Sequence, residues 1–254
     1  MSKYVSPKCL AKQILLGTML GDCSIQPVGN SKARVHMGHS DMQFEYLLWK
    51  MWMLQPLVGS FTLHRKYGGS YSKTSTFYAR TLSNKFLRNT YEDFYKQVDG
   101  KNIKKIRLNV LRRLTPLSLA VWHMDDGCLV NHIRKSDKVK ESYYIRLCTH
   151  GFMYSEQEII CKYFKEMWDL DFHILPQGNT FFITTNKESQ VKFINIIKPY
   201  IHESMAYKID ASIHRMEHPK KDDDILRTLQ GCRELIRNDQ PAIVISSLGI
   251  LTKK

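Results

Sequence analysis

Asp22 and Asp126 stand 104 residues apart, and each closes an apolar run: LLGTMLGDC at 15–23 and LAVWHMDDG at 119–127. Read as helices, these runs end in partial negative charge, where a carboxylate costs up to about 1 kcal/mol. A cation removes that cost. Hard divalent ions such as Mg²⁺ take oxygen ligands of this kind, keep several waters and complete their shell with substrate phosphates. A site so built can activate water and stabilise the leaving oxygen in phosphodiester cleavage. Asp125, next to Asp126, is the competing ligand in the second run.

Gly17 and Gly21 lie four apart on one face of the first helix, and Ala120 and Val121 offer a comparably small surface on the second. Packed side by side about a pseudo-twofold axis, the helices would bring the two acids together. Carboxylates so placed repel, and either one holds a proton or a cation binds.

The elements that must position these acids are written twice. Besides Asp22/Asp126, an offset of 104 pairs Thr76-Phe77 with Thr180-Phe181, and 103 pairs Lys105-Ile106 with Lys208-Ile209. In between, Phe61 matches Phe172 and Trp52 matches Trp168 at wider offsets, as loops of unequal length require. Matches in one order indicate a duplicated unit. Each copy reads as a helix (8–22; 116–127), an alternating strand (33–40; 143–149) and an amphipathic helix (41–54; 155–169). A hairpin and a closing helix (84–97; 187–200) follow. The turn-rich GGSYSKTS joins the first hairpin and Pro176-Gln177-Gly178-Asn179 the second. The expectation is an α+β fold of two pseudo-symmetric αββαββα repeats with antiparallel sheets. Their expected bounds are residues 1–100 and 116–218, with a linker at 101–115 and an extension at 219–254 of no assigned role. Lys101, Lys104, Lys105, Arg107, Arg112 and Arg113 make the linker basic.

The chain has 254 residues and a formal charge of +14, from 38 Lys plus Arg against 24 Asp plus Glu, with pI near 9.5. An excess of this size points to a polyanionic partner, nucleic acid before membrane. The six cysteines show no spacing suited to zinc and read as ordinary reduced thiols. No signal peptide and no membrane span are expected. His123, inside the second run, reads as a packing residue, Trp49, Trp52 and Trp168 as core, and Asp222–Asp224 as the acidic start of a helix.

LAVWHMDDG resembles the LAGLIDADG nonapeptide at Leu119, Ala120, Asp126 and Gly127; LLGTMLGDC resembles it at Leu15, Gly17 and Asp22, with Cys23 in place of the last glycine. The chain is similar over residues 8–215 to single-chain, two-repeat LAGLIDADG homing endonucleases of the intron-encoded type. TPLSLA at 115–120 and the KPY…YK run at 198–208 look like the branch typified by the yeast mitochondrial intron endonuclease. The resemblance implies two saddle-shaped sheets in the major groove, motif helices at the interface, and double-strand cleavage of a long asymmetric site leaving 3′ overhangs. It implies Mg²⁺, with Mn²⁺ able to substitute, on Asp22 and Asp126 and the backbone carbonyls of Cys23 and Gly127. It places a basic residue near each scissile phosphate at Lys105 and Lys208, with Lys104 as the neighbouring competitor. Alternate strand residues face one way, which makes Arg34, His36, His64, Lys66, Tyr78, Arg80, Lys104, Arg146 and Gln177 the candidates for DNA contact. A monomer inside an organelle, a phage-infected cell or a bacterial cytoplasm is implied. The alternative is an RNA-binding intron maturase on the same fold.

Overall fold

Two stretches of the chain fold into the same succession of elements in the computed structural model, which describes residues 6–67, 75–132, 142–213, 223–225 and 227. The first comprises α1 (Pro7–Leu20), β1 (Cys23–Val28), β2 (Lys32–Ser40), α2 (Phe44–Val58), β3 (Phe61–Lys66), β4 (Thr76–Thr81) and α3 (Lys85–Phe94). A small hairpin follows, β5 (Tyr95–Val98) with β6 (Lys101–Lys104), then the single turn α4 (Leu108–Leu111). The second stretch comprises α5 (Pro116–Asp126), β7 (Gly127–His132), β8 (Ser142–Leu147), α6 (Tyr154–Trp168), β9 (Phe172–Gln177), β10 (Thr180–Thr185) and α7 (Lys187–Ile197). Two 3₁₀ segments, Lys198–Tyr200 and Glu203–Lys208, close it.

The sheets repeat one topology: β1-β2-β4-β3 and β7-β8-β10-β9, each antiparallel and open. This is the αββαββα repeat expected from the residues. By compactness the described residues divide into a first unit (drawn from 6–15, 22–91 and 223–227) and a second unit (drawn from 16–21 and 92–213). The last turn and a half of α1 therefore belongs with α5.

Period-two burial drives both sheets. Along β2 every second residue is buried: Ala33, Val35, Met37 and His39. Leu63, Phe77 and Ala79 complete that apolar face, and α2 covers it with Phe44, Leu47, Met51 and Leu54; the Phe44 and Phe77 rings lie 4.2 Å apart. In the second unit Phe164 joins Trp122, Phe172 and Phe193, with centroids 5.9, 4.3 and 6.1 Å away. Ring pairs at such distances add to the burial of large apolar surface. Trp52, expected in the core, is 41% exposed, because Leu48, Met51 and Leu54 take the inward face of α2.

Several boundaries differ from the sequence expectation. α1 stops at Leu20, where the Gly21 N–H turns back to the Thr18 carbonyl at 3.1 Å. Asp22 thus lies in a turn rather than at the helix end, while Asp126 is the last residue of α5. Strands β1 and β7 begin directly after the acids. α3 ends at Phe94, so residues 95–98 are strand and not the close of a helix. Residues 101–104 pair with that strand instead of running as plain linker. The GGSYSKTS turn, except Ser75, lies outside the described residues, as do Asp222 and most of 219–254.

Candidate functional site

α5 is set up by its own sequence. Pro116 at its first turn costs no hydrogen bond, and Thr115 and Ser118 cap each other's backbone N–H at 3.5 and 3.3 Å. Nine of its eleven residues, Leu117 to Asp125, are buried. Within the second unit residues 16–21 of α1 pack on it closely. A Cβ on Gly17 would strike the Ser118 carbonyl oxygen and Val121, and one on Gly21 would strike the Asp125 side chain. Only glycine permits that approach.

Asp125 is buried, and the Thr18 hydroxyl donates to its carboxylate at 2.6 Å. Its role at this contact is to join the helices. Asp126 is half-buried, and its pKa is raised to about 7, first by burial and then by the charge of Asp125; Lys208 and Lys104 pull it the other way. A carboxylate in that position binds a proton at neutral pH unless a cation takes its place. The donor set therefore suits a hard divalent ion. In the first unit Asp22 is exposed, with the His39 ring nitrogen Nδ1 3.7 Å from its carboxylate; His39 itself is buried and also meets Gln43 at 3.1 Å. The strand β2 carries His39 to this position beside Asp22.

Each motif helix ends under a lysine of the second unit. Lys208 is buried and donates to the carbonyls of Met124 and Asp125 at 2.5 and 2.9 Å. Lys104 reaches the carbonyl of Gly21 at 3.5 Å. Gly21 and Asp125, Asp22 and Asp126, and Lys104 and Lys208 are all 104 apart, so Lys104 repeats Lys208 in space as well as in number. Lys105 points elsewhere, 3.8 Å from the Met153 sulfur. The reason is local: the Lys105 N–H bonds the Phe94 carbonyl at 2.7 Å and the Ile106 N–H bonds Glu156 at 2.9 Å, which fixes the strand so that 104 and 105 face opposite ways. Cationic groups on the last carbonyls also satisfy orphan acceptors and oppose the helix dipole.

The remaining motif positions are explained by packing. His123 is fully buried, bonds the Lys208 carbonyl at 3.0 Å through Nε2, and stands edge-on to Phe193. Burial, above all, holds its pKa down at about 3, so it is a neutral N–H donor. Gly127 leaves α5 with extended backbone; a Cβ there would run into the His123 ring and carbonyl. Cys23, at the matching position of the first copy, is buried, and its thiol donates to the Ser24 carbonyl at 3.6 Å.

The first-copy DNA candidates share one face of the first sheet. Register pairs His36 with Arg80, Arg80 with Thr62, and Tyr78 with His64, while Arg34 and Lys66 continue the same alternation. None of the six is buried. Gln26, absent from the expected set, accepts from the Arg34 guanidinium at 3.0 and 2.7 Å and aims it. Burial, then the charges of Arg34 and Arg80, lowers the His36 pKa. On the second sheet Arg146 lies across Phe182, 4.0 Å from the ring centroid, and Gln177 accepts from or donates to His150 at 2.8 Å. Register puts Arg146, Thr184 and His173 in line. Beside them Cys128 departs from an ordinary thiol: a hydrogen bond with Cys148, with help from Arg146 and Lys208, lowers its pKa to about 7.

A duplicated αββαββα chain with an acid at or just past the end of each motif helix, and a lysine on the carbonyl just before each acid, defines a class. Residues 12–193 match the LAGLIDADG DNA endonuclease family, and the chain belongs to that family. It is 27% identical to DNA endonuclease I-ChuI of Chlamydomonas applanata, over 78% of this chain and 93% of the relative. It is 28% identical to Protein RecA of Mycolicibacterium chitae over 78% of this chain and 45% of that protein. The chain thus spans about half the length of the curated RecA relatives it matches. Among solved structures, the homing endonuclease I-WcaI bound to its DNA recognition sequence superposes with a TM-score of 0.66 at 24% identity, covering 82% of this chain and 89% of that one. Among the described residues no helix is long and apolar enough to cross a membrane.

Proposed function

We propose that this chain is a site-specific endonuclease that cuts both strands of a long, asymmetric DNA target and leaves 3′ overhangs, acting as a monomer. Asp22 and Asp126 are the acids, one for each strand, with the carbonyls of Cys23 and Gly127 as further oxygen ligands. Each acid would hold a divalent ion, Mg²⁺ with Mn²⁺ as substitute, which would supply an activated water and charge opposite the leaving oxygen. Lys104 and Lys208 stand at the two cut positions, where their charge opposes that developing on phosphate. Lys105, whose ammonium is 3.8 Å from the Met153 sulfur, is the weaker candidate for the role. The basic outer faces of the sheets hold the duplex: Arg34, His36, His64, Lys66, Tyr78 and Arg80 on one, Arg146 and Gln177 on the other. Some contact phosphates and fix position, and others read base edges.

The observation that carries this reading is the repeated seating of a lysine on the carbonyl just before each acid, Lys104 on Gly21 and Lys208 on Asp125. Pure binding has no use for it. The test is linearisation of a plasmid library of random inserts in Mg²⁺, by wild type and by Asp22→Asn and Asp126→Asn. The wild type should linearise rare members, and each variant should lose double-strand cutting yet still retard the same fragments. If no member is cut and the chain binds structured intron RNA instead, the RNA-binding reading replaces this one.

A further inference from the structure

The β5–β6 hairpin has no part in either sheet, and its sequence is sorted by face. Asp99 and Gly100 both have positive φ, 50° and 74°, which is the two-residue turn that fixes hairpin register. The pairs are Tyr95 with Lys104, Lys96 with Ile103, Gln97 with Asn102 and Val98 with Lys101. Since side chains alternate, one face presents Tyr95, Gln97, Asn102 and Lys104, and the other Lys96, Val98, Lys101 and Ile103. Gln97 and Asn102 are exposed and directly opposite each other. They lie two residues from Lys104, about 7 Å along the strand, which is about two base-pair steps of a duplex.

We propose that Gln97 and Asn102 are specificity-determining residues that read base edges of the target about two steps from the phosphate facing Lys104. This rests on the nuclease reading. A surface that only gripped phosphates would carry lysines, and here Lys96 and Lys101 point from the opposite face. Side-chain amides present a donor and an acceptor together, the pattern that matches a purine edge in two bonds. The element is also one-sided. Among the described residues, the chain leading to Lys208 runs through 3₁₀ segments and not a hairpin. The added discrimination therefore falls on one side of the cut centre alone.

The test is a cleavage profile over targets varied at each base pair, for wild type, the Gln97→Ala/Asn102→Ala variant and a Lys96→Ala/Lys101→Ala control. The amide variant should lose about tenfold discrimination at one or two adjacent pairs on one side, while still cutting the best target. The lysine control should keep the wild-type profile. A Gln97→Thr/Asn102→Thr variant, with side chains suited to a strand, replaces the alanine pair if that one fails to melt cooperatively. A profile that superimposes on wild type, or cutting weakened equally on all targets, overturns the inference and leaves the nuclease reading standing. A wild type that cuts nothing overturns both.

Discussion

At the scale of the residue, Asp126 is a carboxylate that burial and a neighbouring like charge push toward its protonated form. Its pKa is raised to about 7 by burial and by Asp125. Between the ordinary 3.8 and about 7 the folded chain binds more protons than the unfolded one, so this group lowers metal-free stability as pH rises through that window. Asp126→Asn should therefore raise the metal-free unfolding free energy at pH 8 by about 1–2 kcal/mol while abolishing cleavage. Denaturant titration without metal checks it, and a loss of stability would contradict the assignment. Cleavage at limiting metal should fall as pH drops below about 7, and more metal should shift that midpoint to lower pH. The relation follows because metal and proton compete for one carboxylate. A midpoint indifferent to metal would count against Asp126 as the ligand.

At the scale of the element, the contact of α1 residues 16–21 with α5 depends on absent side chains. A Gly21→Ala methyl meets the Asp125 side chain, itself held by Thr18, so it has no room to yield. The expected cost is about 2–3 kcal/mol of stability, with cleavage reduced further because the acid that follows is displaced. Ala11→Gly, buried on the same helix, should lose stability without that excess effect on cutting. The helices, their glycines and the repeat were legible in the sequence because apolar period and spacing report them directly. β1 and β7 were not, since CSIQPV and GCLVNH are short and follow the helices without a turn signal. The choice between Lys104 and Lys105 was also out of reach. A one-residue slip in a basic run changes no composition, and only the bonds to Phe94 and Glu156 settle which lysine turns toward α1. Gln26 was missed for the same reason: its value depends on the register with Arg34.

At the scale of the whole molecule, His123 gives stability an acid limb that opposes the contribution of Asp126. His123 has a folded pKa of about 3 against an ordinary 6.5, so its contribution is complete above 6.5 and is lost as pH falls toward 3. Unfolding free energy should drop by about 2 kcal/mol between neutral pH and pH 5 from this residue. His123→Leu should flatten that limb while lowering stability at neutral pH, through loss of the bond to the Lys208 carbonyl. An unchanged acid limb would contradict it. The charge of +14 makes binding depend steeply on salt whatever the nucleic acid, so salt alone does not identify the substrate. The duplicated architecture does lead to a sharper expectation: each repeat serves one strand. The most direct measurement is single-turnover cleavage of an end-labelled target duplex, followed strand by strand, for Lys104→Gln and Lys105→Gln. Lys104→Gln should slow one strand by at least tenfold and leave a nicked product, while Lys105→Gln cuts both strands at close to the wild-type rate. Equal slowing of both strands by Lys104→Gln, or a strand-specific defect in Lys105→Gln alone, would contradict the account.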